Sequence, residues 1–176
     1  MKSFNKNAAI RGAIRRVFAR SPIVREVLFD GRREVPKYNK DGSRSIKNSV
    51  QYSCQVCNNW VSSTKIAVDH IIPVVSVDDG FVDWNTFVER LWCDKINLQR
   101  ICDFCHKDKT NKERTERLLK KYLNELDTIE NNIVNFDQKT LKRTLSKYIN
   151  KKKISGLYLV VQRAQDIKNK YCNFRS

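Results

Sequence analysis

Two cysteine pairs, Cys54-Gln55-Val56-Cys57 and Cys102-Asp103-Phe104-Cys105, set the tightest limits on the fold of this chain. Each CxxC loop can offer two thiolates to one ion, and two such loops complete a tetrahedral four-cysteine site. The N-terminus has no apolar run or small-residue cleavage site of the secretory kind. Paired CxxC motifs in such a chain read as structural zinc ligands rather than disulfides, which implies a reducing, cytoplasmic setting. The 44 residues between Cys57 and Cys102 make a wider gap than a compact zinc finger has. They are therefore expected to form a folded insertion stapled at its base by the metal. Cys93 and Cys172 stand apart and read as ordinary thiols.

The insertion also concentrates rare residues. The chain has only two histidines in 176 residues. One follows Asp69, in Val68-Asp69-His70-Ile71-Ile72-Pro73. The other, His106, directly follows the second CxxC, and Asn97-Leu98-Gln99 lies between them. A site needing a base, a carboxylate and an imidazole ligand would use these residues. Taken singly, each has a plainer reading. A lone histidine is ordinarily a satisfied core residue, an Asp before His can orient it by a hydrogen bond, and Asn is a common turn-former. His106 could also join the zinc site, although four cysteines already satisfy that ion.

The net charge of +16 is unevenly spread. Residues 1–50 carry +9, residues 51–106 carry −3 and residues 107–176 carry +10. An acidic centre suits a hard cation, and basic flanks suit a polyanion. No apolar run approaches a membrane span, so a membrane is not among the expected partners.

Apolar spacing predicts helices over 7–20 and from Pro22 to about Phe29, with Ser21 as the cap of the second. The first carries Ile10, Ala13, Ile14, Val17 and Phe18 on one stripe, with Arg11, Arg15, Arg16 and Arg20 away from it. Residues 30–49 are turn-rich and basic, with an Asp41-Gly42 hairpin signal, and are expected to form a mobile loop or ribbon. Short strands are expected over 50–75, including Lys65-Ile66-Ala67-Val68. A short helix is expected from Trp84 to Trp92, with Trp84, Phe87, Val88, Leu91 and Trp92 as core. Cys102 to Thr110 should start a helix carrying His106, which continues over 112–133 with Leu118, Leu119, Tyr122, Leu123, Leu126 and Ile129 on one face. Two more helices are expected over 138–150 and 154–170, broken by Lys151-Lys152-Lys153 and Gly156.

In combination, Cys54-x-x-Cys57, Asp69-His70-x-x-Pro73, Asn97-Leu98 and Cys102-x-x-Cys105-His106-x-x-Lys109-Thr110 resemble the HNH endonucleases of the zinc-bound, CxxC-containing type. The segment Gly80-Phe81-Val82-Asp83-Trp84, followed by Leu91-Trp92-Cys93, is similar to that of phage-encoded members. The resemblance covers about residues 50–112. It implies an α+β fold: a ββα-metal (HNH) core stapled by the four-cysteine zinc site of Cys54, Cys57, Cys102 and Cys105, with mostly helical N- and C-terminal extensions. The boundaries would be a basic extension over 1–49, the nuclease core over 50–112 and a basic helical extension over 113–176.

The resemblance also implies roles. Asp69 and His106 would bind one catalytic divalent ion, Mg2+, Mn2+ or another. His70 would be the general base, and Asn97 would hold the loop and orient His70. The products would carry 5′-phosphate and 3′-hydroxyl ends. The expected partner is double-stranded DNA, met through Arg11, Arg15, Arg16, Arg32, Arg33, Lys107, Lys109 and Lys112, together with a phage or host protein. The setting would be the host cytoplasm for a phage-encoded chain. The expected function is a metal-dependent DNA endonuclease or nickase. The alternative is a non-catalytic, zinc-stabilised nucleic-acid-binding module, which needs only the cysteines and the basic flanks.

Overall fold

Local capping and apolar spacing fix the helices. The computed structural model describes residues 4–153 and 156–172. These divide into two compact units, one running to Lys109 and one starting at Thr110. Together they have an α+β composition of helices and small antiparallel sheets.

In the first unit, α1 (Lys6–Phe18) starts at Asn5, whose side chain accepts a hydrogen bond from the Ala8 amide at 2.9 Å. Helix α2 (Pro22–Phe29) has its proline in the first turn, where no amide partner is lost. The expected Ser21 cap is not made: its hydroxyl is buried without a hydrogen-bond partner. The buried face of α1 is also narrower than its apolar stripe. Phe18 is buried, whereas Ile10 and Val17 are exposed.

The segment after α2 is more ordered than its composition suggests. Strands β1 (Arg32–Val35), β2 (Ser49–Ser53) and β3 (Trp60–Ser62) form an antiparallel sheet in the order β1-β2-β3. The connection between β1 and β2 folds back at Asn39–Ser43, with Gly42 at φ 82° and a Tyr38–Arg44 bridge. The hairpin signal at Asp41-Gly42 thus marks the tip of a ribbon.

A second sheet pairs β4 (Ile66–His70) with β5 (Leu98–Cys102), setting Ile66 opposite Cys102 and His70 opposite Leu98. The segment between them contains α3 (Trp84–Leu91), capped by Asp83, which accepts from the Thr86 amide at 2.9 Å. Phe87 and Leu91 of α3 are buried one turn apart, whereas Val88 and Trp92 lie on the exposed side. They share one apolar cluster with Phe18, Val24, Val27, Val74 and Leu98. Phe18, Val24 and Val27, from the segment expected as the N-terminal extension, thus share a core with α3 and β5.

Arg100 of β5 ties these elements together. Its guanidinium donates to the carbonyls of Val27 (2.8 Å) and Ser53 (3.2 Å), and its backbone exchanges bonds with Gln55. It lies directly across Gly31, where any Cβ would overlap the guanidinium.

Helix α4 (Asp103–Asn131) leaves β5 immediately and runs on into the second unit. There Leu126 and Ile129 are buried with residues of α5 (Gln138–Ile149) and α6 (Tyr158–Cys172), while Leu118, Leu119, Tyr122 and Leu123 pack against them. The apolar stripe read from the sequence is thus the inward face of α4. Asp137 caps α5 through the Thr140 amide. Gly156, at φ 83°, precedes α6. Residues 154 and 155, expected to open the last helix, lie outside the described residues. Among the described residues, no helix is long and apolar enough to cross a membrane.

Gly31→Ala is expected to displace Arg100 and to cost about 2 kcal/mol, the scale of one overpacked contact with lost charge-assisted hydrogen bonds. Urea unfolding should show this loss in the wild-type background and little of it in Arg100→Ala.

Candidate metal centre

The knuckle around the first CxxC forms because Asn58 adopts a left-handed conformation (φ 60°), one that Asn tolerates better than most residues. This turns the chain so that the Asn58 amide bonds the Cys54 carbonyl and the Cys54 amide bonds the Asn59 carbonyl, both at 2.9 Å. Gln55 then docks the knuckle on β5: its amide donates to the Arg100 carbonyl and its side chain accepts from the Arg100 amide. The second CxxC spans the junction of β5 and α4, so Cys102 ends the strand and Cys105 lies in the first helical turn.

The four sulfurs of Cys54, Cys57, Cys102 and Cys105 all lie within 4.8 Å of one another. Cys57 and Cys102 are 3.9 Å apart. A tetrahedral zinc site with bonds of about 2.3 Å places its sulfurs about 3.8 Å apart. The ligand set and its spacing are those a structural zinc ion requires. Burial works against ionisation of Cys54, but the amides of Cys102, Cys57 and Val56 outweigh it and bring the thiol down to about 6. Burial and the neighbouring Cys102, Cys57 and Cys54 push Cys105 up to about 12. One thiolate is favoured here and the fourth is strongly opposed, an imbalance that a divalent cation removes. Cys93 and Cys172 are not members of the cluster; Cys172 is buried in the apolar core of the second unit.

The other candidate residues collect at the opposite end of the β4–β5 pair, four residues along β4 from the level of Cys102, or about 13 Å. Successive strand residues face opposite sides, and this separates Asp69 from His70. Asp69 faces α4. Its Oδ2 accepts from Lys109 Nζ at 2.7 Å, and its Oδ1 lies 4.0 Å from His106 Nε2. That gap is too long for a hydrogen bond, and the two groups are of the kinds that could hold a divalent ion. His70 faces the other way and is buried. Its ring lies 5.1 Å from that of Phe18, and its Nε2 is 2.9 Å from the Leu91 carbonyl oxygen. A carbonyl can only accept, so Nε2 carries the proton and Nδ1 keeps its lone pair. Burial holds the His70 pKa below the ordinary histidine value, against the Leu91 bond and the Asp69 charge.

Asn97 reaches the turn that follows His70. Its Oδ1 accepts from the Ile72 amide at 2.8 Å, and its own carbonyl accepts from Ile71. The His70 ring itself is held by Leu91 and Phe18, two residues that sequence reasoning places only in the core. No motif marks them, because their role depends on where α1 and the end of α3 meet β4. Gln55 and Arg100 are unmarked for the same reason.

Several of the cations expected to meet nucleic acid make contacts within the fold. Arg11 lies 4.8 Å over the Phe81 ring and Arg15 5.5 Å over Phe87. Arg33 lies 4.0 Å over Trp60 and binds the Gln51 side chain, Arg32 pairs with Glu34, and Lys109 pairs with Asp69. Arg15, Arg16, Arg32, Arg33, Lys107 and Lys112 are exposed.

Comparisons with protein-family models, curated proteins and solved structures find no match to this chain.

Purified protein is expected to carry one zinc per chain by elemental analysis, retained in Cys93→Ser and lost in Cys54→Ser. Stripping the ion with a strong chelator should lower the melting temperature of the wild-type chain. An unchanged melt would show that the cluster does not need a metal.

Proposed function

We propose that the chain is a metal-dependent DNA endonuclease or nickase of the HNH, ββα-metal type. One observation carries the reading: Asp69 Oδ1 and His106 Nε2 lie 4.0 Å apart, with His70 next to Asp69 on the strand and bonded through Nε2 to the Leu91 carbonyl. A four-cysteine cluster at the base of the same strand pair supports it.

Asp69 Oδ1 and His106 Nε2 are the residues that would hold the divalent ion, Mg2+ or Mn2+. Bound there, the ion would supply Lewis-acid neutralisation of the phosphate and of the leaving oxygen. His70 would be the general base that takes the proton of the attacking water, with its Nε2 held by the Leu91 carbonyl. A depressed pKa keeps His70 unprotonated, the form a base needs, at neutral pH. Asn97 holds the turn after His70. The products would carry 5′-phosphate and 3′-hydroxyl ends. Residues 50–112 would be the catalytic core. Basic groups at its surface, with Arg16, Lys107 and Lys112 exposed, would grip the duplex backbone.

A second reading has its own support. His70 is buried with Nε2 satisfied, and Asp69 already has a cation partner in Lys109. That arrangement also suits a zinc-stabilised nucleic-acid-binding module without catalysis.

Supercoiled plasmid separates the two. Wild type in Mg2+ or Mn2+ is expected to yield open-circle or linear DNA, EDTA to stop it, and His70→Ala to slow it by about 10²–10⁴-fold. A plasmid shifted on a gel but never cut would favour the binding module. In either case DNA affinity should fall steeply between about 50 and 200 mM salt, by about 10³–10⁵-fold for roughly six to ten phosphate contacts.

A further inference from the structure

Lys109 reaches two groups of the candidate site at once. Its ammonium lies 2.7 Å from Asp69 Oδ2 and 2.7 Å from the His70 carbonyl oxygen. The side chain is 23% exposed, as little as that of Asp69 itself (22%), so water screens the pair only in part. Lys109 follows His106 by three residues on α4, and residues so spaced share a helix face. One helix face therefore brings an imidazole toward Oδ1 of the carboxylate and an ammonium onto Oδ2.

We infer that Lys109 is a positioning residue that makes Asp69 a one-oxygen ligand. It occupies Oδ2, leaves Oδ1 to the divalent ion shared with His106, and fixes the Asp69 carboxylate relative to the His70 backbone. The inference rests on the metal-centre reading proposed above. It gives Lys109 a role different from the phosphate contact expected from its place in a basic run.

The ammonium acts on the site in two opposed ways. Its charge would oppose a divalent ion held by Asp69 and His106. Its two hydrogen bonds tie the Asp69 carboxylate to the backbone of His70, and small misplacements of reacting groups cost rate steeply. Removing it should therefore tighten the ion and slow the reaction. A lysine that only supports the fold would not tighten ion binding when removed.

The experiment is Mn2+ titration of the zinc-loaded full chain, read by the electron paramagnetic resonance of free Mn2+, beside plasmid cleavage by the same samples. The variants are Lys109→Met, Lys109→Arg and Asp69→Ala, with zinc content and thermal melts recorded for each. Lys109→Met is expected to lower the Mn2+ Kd about tenfold, the scale of one nearby unit charge, and to cut more slowly than wild type at saturating Mn2+. Lys109→Arg keeps the charge and should stay near the wild-type Kd. If Lys109→Met loses its zinc or its cooperative melt, Lys109→Gln takes its place under the same criteria. An unchanged or weaker Kd in the neutral variant, or an equal tightening in Lys109→Arg, overturns the inference while leaving the metal centre standing. Absence in wild type of any Mn2+ site that Asp69→Ala removes overturns the metal centre, and the inference with it.

Discussion

Both ends of the small sheet in the first unit hang on the pairing of β4 with β5. One register sets Ile66 opposite Cys102 and His70 opposite Leu98. The lower end thereby joins two CxxC loops that are far apart in the chain, and the upper end presents Asp69 and His70 beside Asn97. A slip of one residue would exchange the faces of the strand, sending Asp69 toward Phe18 and His70 toward α4. Two side-chain ties work against such a slip. The knuckle is bound to β5 through Gln55 and Arg100, and the turn after β4 is bound through Asn97 to the residues just before β5.

The strand alternation gives two adjacent residues opposite electrostatic surroundings. Asp69 lies among cationic and titratable groups of α4 and is partly open to water. His70 lies among Phe18, the Leu91 carbonyl and the apolar cluster, where a charged ring is disfavoured. The contrast sets an ion-paired carboxylate beside an imidazole whose charged form is disfavoured. It comes from a single step along a β-strand, without any special conformation at either position.

Much of the local structure is legible in the sequence because short-range physics decides it. The α4 stripe, Pro22 at the start of α2 and the turn at Gly42 all follow from spacing and backbone preference over a few residues. Strand β5 is not legible. Leu98-Gln99-Arg100-Ile101-Cys102 lacks clean alternation, and its partner lies on the far side of α3. The turn-rich composition of residues 30–49 leaves loop and ribbon both open, and the cross-strand bonds of β1 with β2 decide for the sheet. Periodicity alone assigns Ile10, Val17 and Trp92 inward, yet each stays partly exposed because the core is too narrow to cover the whole stripe.

Residue types and their spacing establish the chemistry that is present: four thiols in two pairs, two histidines, an aspartate before one of them, and basic flanks around an acidic centre. Those properties survive in any conformation. Which of these groups meet is a matter of the folded arrangement. It brings the four sulfurs within 4.8 Å, sets His106 and Lys109 on different oxygens of Asp69, and gives His70 the Leu91 carbonyl as partner. These contacts join segments far apart in the chain, 21 residues for His70 with Leu91 and 48 for Cys54 with Cys102. Their closeness comes from strand register and core packing, and neither is encoded in a local pattern.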